Sequence, residues 1–331
     1  MTAASTRRVV IDTDTGIDDA LAVIYLAASE GVEIVACTTT FGNCSTAHAI
    51  ENVSHVLRLC GLDEVPVHPG REGPISGEPA KHSWFVHGHD GLGDQDLDRV
   101  PATPSAESAA DALVRLGREN PGELDLLVLG AQSNIADAVA IDPDVLTRYR
   151  SVVIMGGSGP YAEPGDVMEV DANVAADPQA AAVMFGAPRA HMVMVGVNVT
   201  TPTIMDEEFI ARLGAVDAPI ARFSHAVTEA YLDFYQEKWG RRICAAHDGL
   251  AAGVMIHPEL VRTALRGPVN VRSDGFATRA RLMRTVDDKP TVFPYEDAPE
   301  TVVVTEVDHA AFLADFLEKL VTADERLGRG A

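Results

Sequence analysis

Short runs of β-branched and aliphatic residues alternate along the chain with longer stretches whose apolar positions recur at helical spacing. Residues 8–11 (Arg-Val-Val-Ile) form the first apolar run and read as a buried strand. Residues 18–29 then carry Ala20, Leu21, Val23, Ile24 and Ala27, behind two acids that suit the positive end of a helix dipole. The same reading predicts strands over 32–39, 124–129, 151–155 and 191–195, and helices over 47–59, 134–140 and 178–185. Strands that alternate with helices and are apolar almost throughout imply an α/β fold, with an open, mainly parallel central sheet flanked by helices. Past Val199 the pattern turns helical, over 207–213, 220–238 and 247–256. Short strands follow at 269–271 and 302–304, and a last helix at 310–321. The Pro-, Gly- or Ser-rich stretches 66–79 and 100–105 are loop-length, and no internal repeat is evident. The expectation is one domain over residues 1–331, with loop insertions and a helical region near 205–256.

The junction between the first strand and the first helix holds the most distinctive chemistry. The segment from Val10 to Ala20 contains Asp12, Asp14, Asp18 and Asp19. In an open parallel sheet, ligands bind outside the carboxyl ends of the strands. Carboxylates crowded there raise one another's pKa unless a cation or hydrogen bonds compensate. A hard divalent cation with oxygen ligands would do so. Helix capping by Asp18 and Asp19, with Asp12 satisfied by loop backbone, is the plainer alternative, but a helix start needs one or two acids rather than four. An EF-hand loop does not fit, because Gly16 stands at its fifth position and Val23 at its twelfth. A phosphatase of the haloacid dehalogenase type would use Asp12-x-Asp14, but Gly16 stands where Thr or Val belongs, and the Asp18-Asp19 pair has no part in that pattern.

Composition narrows the classes. The chain has 331 residues, 47% hydrophobic and 23% charged, enough to bury a sizeable core without disulfide or metal support. Its formal net charge of −23 opposes binding to nucleic acid or anionic membrane. The basic groups Arg241-Arg242 and Arg279, Arg281, Arg284 are short. Cys37, Cys44, Cys60 and Cys244 form no CxxC pair and fit a reducing compartment. No apolar run follows the polar residues 1–8, so neither a secretory signal nor a transmembrane span is expected.

Further motifs stand in order along the chain. They are Phe41-Gly42-Asn43, the run His87-Gly88-His89-Asp90-Gly91-Leu92-Gly93, and Leu129-Gly130-Ala131-Gln132-Ser133-Asn134-Ile135-Ala136. Met155-Gly156-Gly157, Asp171-Ala172-Asn173, Asp177-Pro178 and His247-Asp248 follow. With the D-x-D-x-G-x-D-D-A box at Asp12, these make the chain resemble the inosine–uridine-preferring nucleoside hydrolases along nearly its whole length. The resemblance implies a Rossmann-like nucleoside hydrolase fold and hydrolysis of the N-glycosidic bond of a ribonucleoside, in cytoplasmic nucleoside salvage, by a homodimer or homotetramer. It implies one Ca2+, held by the side chains of Asp14, Asp19 and Asp248 and the backbone carbonyl of Ser133. Asp14 would also be the general base for the attacking water. Asp18 and Asn173 would hold the ribose hydroxyls with Asn43 nearby, His247 would protonate or orient the leaving base, and His87 would stand on the pocket wall.

The chain departs from the family pattern near the ribose 5′-end. Asp171-Ala172-Asn173 replaces Glu-Phe-Asn, so Asp171 is a shorter acid and Ala172 removes an aromatic. Gly165-Asp166 stands where Gly-Asn is common, placing Asp166 as an added charge near the 5′-hydroxyl. Two other functions remain open on the residues: a magnesium-dependent phosphatase, for which Lys81 is the only lysine before Lys238, and a non-catalytic ribose- or calcium-binding protein. Trp84, Tyr231 and Tyr235 are candidates either for covering the site or for packing.

Overall fold

A computed structural model describes residues 6–162, 168–280 and 299–328. In chain order the first half holds β1 (Arg7–Thr13), α1 (Ile17–Ala27), β2 (Val32–Thr39), α2 (Thr46–Leu59), β3 (Val67–His68), α3 (Trp84–His87), α4 (Ala109–Glu119), β4 (Leu124–Val128), α5 (Ser133–Ile141) and β5 (Ser151–Met155). There follow α6 (Ala172–Ala176), α7 (Pro178–Gly186), β6 (Met192–Val195), α8 (Val197–Thr200), β7 (Ile204–Met205), α9 (Glu207–Gly214) and α10 (Pro219–Trp239). The last elements are β8 (Cys244–Ala245), α11 (His247–Ile256), β9 (Val261–Gly267), β10 (Val269–Val271), β11 (Ala277–Arg279), β12 (Thr301–Val307) and α12 (His309–Arg326).

Eight strands form one sheet in the order β3-β2-β1-β4-β5-β6-β12-β9. Every pairing is parallel except that of β9 with β12. The α/β expectation therefore holds. Helices cover both faces, which is why β1, β4 and β5 are buried along most of their length. One buried cluster includes α1, α10, α11 and α12, and the other lies around α4, α5 and α7. Helix α1 is buried at ten successive residues, Ile17 to Leu26, and so shows little amphipathic contrast. Its Tyr25 ring meets Phe316 edge-on at 5.2 Å and donates its hydroxyl to Asp315 at 2.6 Å. Among the described residues no helix is long and apolar enough to cross a membrane.

Sequence periodicity passes over several elements. Helix α4 begins at a Ser108 cap, whose hydroxyl accepts from the Asp111 amide at 3.2 Å, and follows directly on a loop rich in small polar residues. Strand β9 is an exposed edge with Arg262, Thr263, Ala264, Leu265 and Arg266 largely in solvent, so no buried face marks it. The predicted strand 269–271 is real, but it pairs with β11 in an antiparallel hairpin outside the main sheet.

Candidate active site

The sheet order reverses at β1. From β1 the chain winds to β2 and β3 on one side, and β4, β5, β6 and β12 lie on the other. A doubly wound sheet opens a crevice outside the carboxyl ends of the two strands that diverge at such a point, here β1 and β4. The acidic box leaves β1 into that crevice, and the Gly130–Asn134 turn leaves β4 beside it.

The acids of the first box and of the His247-Asp248 motif, Asp12, Asp14, Asp18, Asp19 and Asp248, are all buried. Asp14 is gripped by Asn43, whose backbone amide donates to Oδ2 at 2.7 Å and whose Nδ2 donates to Oδ1 at 3.1 Å. The same Nδ2 group donates to Asp19 Oδ2 at 3.0 Å, which also accepts from the Gly16 amide at 2.9 Å. Thr13 donates its hydroxyl to the other oxygen of Asp19. Gly42 is glycine for a steric reason: its φ is +155°, and a Cβ there would fall 1.9 Å from Asp14 Oδ2. A Cβ on Gly16 would fall 2.6 Å from Asn43 Nδ2 and 2.7 Å from His87 Nδ1. Asp12 faces backwards into the fold. Its Oδ1 accepts from Thr38 and, at 2.8 Å, from Asn134, and Oδ2 has no partner.

The electrostatics describe a cluster short of positive charge. Burial, then the Asp19 charge, push Asp18 up to about 8 and hold Asp14 well above the usual carboxylate range. Asp248 is raised by burial and then by Asp18, and Asp19 is raised by burial. Asp12 is pushed up to about 7 by burial. Asp18, Asp19 and Asp248 each bring one oxygen within 4.8 Å of the others, and Asp18 Oδ1 is buried without a partner. An all-oxygen donor set with an orphaned buried oxygen fits a hard divalent cation. Asp14 lies outside the closest trio but is tied to Asp19 through the Asn43 amide. Ser133 opens α5 next to the cluster, and its hydroxyl donates to Asp177 at 2.7 Å.

Above the acids lies a cavity of about 400 Å³. Asp18, Asn43, Asn173 and Asp248 line its floor, and Tyr231, Phe234, Tyr235 and Trp239 of α10 line an aromatic wall with His87 and His247. His247 opens α11, one residue before Asp248. Its Nδ1 pairs with the Thr200 hydroxyl at 2.7 Å and its Nε2 with the Tyr235 hydroxyl at 2.9 Å. Burial pushes the imidazole down to about 4. His87 Nδ1 accepts from the Ile17 amide at 3.2 Å, and its ring stacks on Tyr231 at 5.4 Å. Burial, then His247, push it down to about 3. Both rings are therefore neutral near pH 7.

The model of a protein family described as inosine-uridine preferring nucleoside hydrolase matches residues 9–314. The chain belongs to that family. A probable uridine nucleosidase 2 of Oryza sativa subsp. japonica is 34% identical over 81% of this chain and 79% of its own length. A plant nucleoside hydrolase structure (PpNRh1) superposes with a TM-score of 0.87 at 27% identity, over 96% of this chain and 99% of that one. A purine-preferring ribonucleoside hydrolase from Gardnerella vaginalis gives 0.84 at 26% identity, over 96% and 99%. The family resemblance read from the motifs holds. The nucleoside hydrolase is an enzyme that cleaves the N-glycosyl bond of ribonucleosides. Its family binds a metal, and the acidic cluster is compatible with one.

The structure brings Asp14, Asp18, Asp19, Asn43, His87, Asn173, His247 and Asp248 to one crevice. Asp166 lies outside the described residues. Asp171 lines the cavity, but its Oδ1 caps α6 by accepting from the Val174 amide at 2.8 Å, and burial pushes it up to about 6. Trp84 is exposed and stacks on His89 at 5.3 Å rather than lining the cavity. The supporting roles of Thr13, Thr38, Thr200 and Asp177 carry no signal in the sequence, because a lone Thr or Asp shows its partner only after folding. The Asp177-Pro178 dipeptide is an exception in part, since Asp before Pro marks a helix start.

Proposed function

We propose that this nucleoside hydrolase is calcium-dependent, takes uridine among its substrates, and uses Asp14 as general base. The reading is carried by one juxtaposition: buried carboxylates on the cavity floor face an aromatic wall that carries two neutral imidazoles. The ring of a base fits the aromatic wall, and a ribose cis-diol fits the acids. Calcium, held by the side chains of Asp14, Asp19 and Asp248 and the Ser133 backbone carbonyl, would supply the charge that keeps these acids ionised and draws hydroxyl oxygens to them.

The chain's own groups do the rest. Asp18, whose Oδ1 has no protein partner, accepts from a ribose hydroxyl. Asn173 spends its Nδ2 on the carbonyls of Leu129 and Met155, so its Oδ1 is the atom left to accept from the sugar. Water adds to C1′ as Asp14 takes its proton, while the C1′–N bond breaks and its electron pair leaves with the base. Positive charge spreads over C1′ and the ring oxygen in the transition state. Fixed carboxylates stabilise that charge without reorganising. His247 and Tyr235 form a hydrogen-bonded pair that orients the base. Salvage of nucleosides in the cytoplasm is the matching role, and uridine agrees with the name of the rice relative.

Ribose release from uridine, inosine and cytidine, with 2′-deoxyuridine as control, tests the proposal. Release from uridine with the deoxy control at least about a hundredfold slower supports it, since the lost hydroxyl leaves buried acceptors unpaired. Equal rates on uridine and deoxyuridine would remove the diol from the account.

A further inference from the structure

A base that departs from C1′ carries away an electron pair, so it leaves with anionic character unless a proton reaches it first. The wall that faces it is a poor source of protons. His247 is engaged at both ring nitrogens, Nδ1 with the Thr200 hydroxyl and Nε2 with the Tyr235 hydroxyl, and His87 Nδ1 accepts from the Ile17 amide. One cation lines the cavity among the described residues, and it is Lys238. It stands three residues beyond Tyr235 on α10, on the same side of the helix as the tyrosine that bonds His247. Its Nζ lies 5.8 Å from the ring centroids of both Phe234 and Trp239, within cation–π range, which keeps the ammonium at the cavity mouth. The next basic residues are otherwise engaged: Arg241 pairs with Glu207, and Arg242 with Glu229 and Asp233.

We propose that Lys238 is a specificity-determining residue that stabilises negative charge on the departing base. It favours bases that leave as delocalised anions, such as pyrimidines with two ring carbonyls, over bases that must be protonated before they leave. The electron pair of the C1′–N bond passes to the ring nitrogen and spreads to the carbonyl oxygens, which face the ammonium. The proton of the attacking water is on Asp14, and the released base takes its own proton from solvent. This inference rests on the base lying against the aromatic wall, as in the proposed function.

The calcium-loaded enzyme and its Lys238→Met and Lys238→Arg variants are compared on uridine, 5-fluorouridine and p-nitrophenyl β-D-ribofuranoside, whose leaving groups need progressively less help. Lys238→Met is expected to lose about tenfold in kcat/KM on uridine, the effect of one partly solvated charge at a few ångströms. The loss is expected to shrink on 5-fluorouridine and to vanish on the nitrophenyl riboside, with Lys238→Arg keeping most of the uridine activity. Lys238 is exposed, so both variants should fold, and unchanged melting temperatures confirm it. Equal losses on all three substrates, or none on uridine, would overturn the role of Lys238. Silence of the unmodified enzyme on all three would instead overturn the reading of the site on which it rests.

Discussion

Asn43 is the hinge of the acidic cluster, and replacing it by alanine isolates what holds the acids ready. Its side-chain amide donates to Asp14 Oδ1 at 3.1 Å and to Asp19 Oδ2 at 3.0 Å. Hydrogen bonds to charged groups contribute about 1.5–3 kcal/mol each, so the two together are worth about 3–6 kcal/mol. Asn43 lines the cavity, and water entering after truncation recovers part of this, leaving a net loss of about 1.5–3 kcal/mol. Both bonds favour the ionised carboxylates, so Asn43→Ala makes Asp14 and Asp19 hold their protons more tightly. A cation must displace those protons, and calcium affinity is expected to fall about ten- to a hundredfold. Calorimetric titration of calcium into chelator-treated protein measures this, with the melting temperature of the calcium-free protein as control. Calcium affinity within twofold of the unmodified enzyme would refute the reasoning. So would a drop in melting temperature with affinity unchanged, which would make Asn43 a folding residue only.

Stability of the calcium-free protein should depend on pH in the opposite sense to ordinary acid denaturation. Asp12 and Asp18 are raised to about 7 and about 8 from the ordinary 3.8, so between about pH 4 and pH 8 the folded chain binds more protons than the unfolded one. Unfolding then becomes easier as pH rises across that window. The melting temperature without calcium should fall from pH 5 to pH 8, and saturating calcium should flatten the trend; a rise in the calcium-free protein would contradict the raised acids. Tyr235→Phe removes the hydroxyl that bonds His247 Nε2 at 2.9 Å. It should lower kcat on uridine about tenfold with a smaller change in KM, and a change in KM alone would assign Tyr235 to binding.

Much of this site could be read from the chain before folding, for a physical reason. Four acids between Asp12 and Asp19, at the end of an apolar strand, leave few ways to neutralise themselves, so their chemistry shows locally. The buried parallel strands were equally visible, because a strand covered on both faces is apolar at nearly every position. Strand β9 was not, since an exposed edge carries no such pattern. The role of Asp171 also needed the fold. Its sequence position suggests an acid facing the sugar, and in the fold it lines the cavity while its Oδ1 also caps α6. The charge of Lys238 was hidden for another reason: in sequence it is one polar residue on a long helix, and only the packing of α10 over the crevice brings it to the cavity.

The measurement closest to the central claim is ribose release from uridine by the enzyme as purified, after exhaustive chelation, and after calcium is restored. Turnover is expected to be lost on chelation and to return with calcium, and to stay absent in Asp14→Ala under all three conditions. Undiminished turnover in the chelated enzyme, or near-normal turnover by Asp14→Ala, would contradict it.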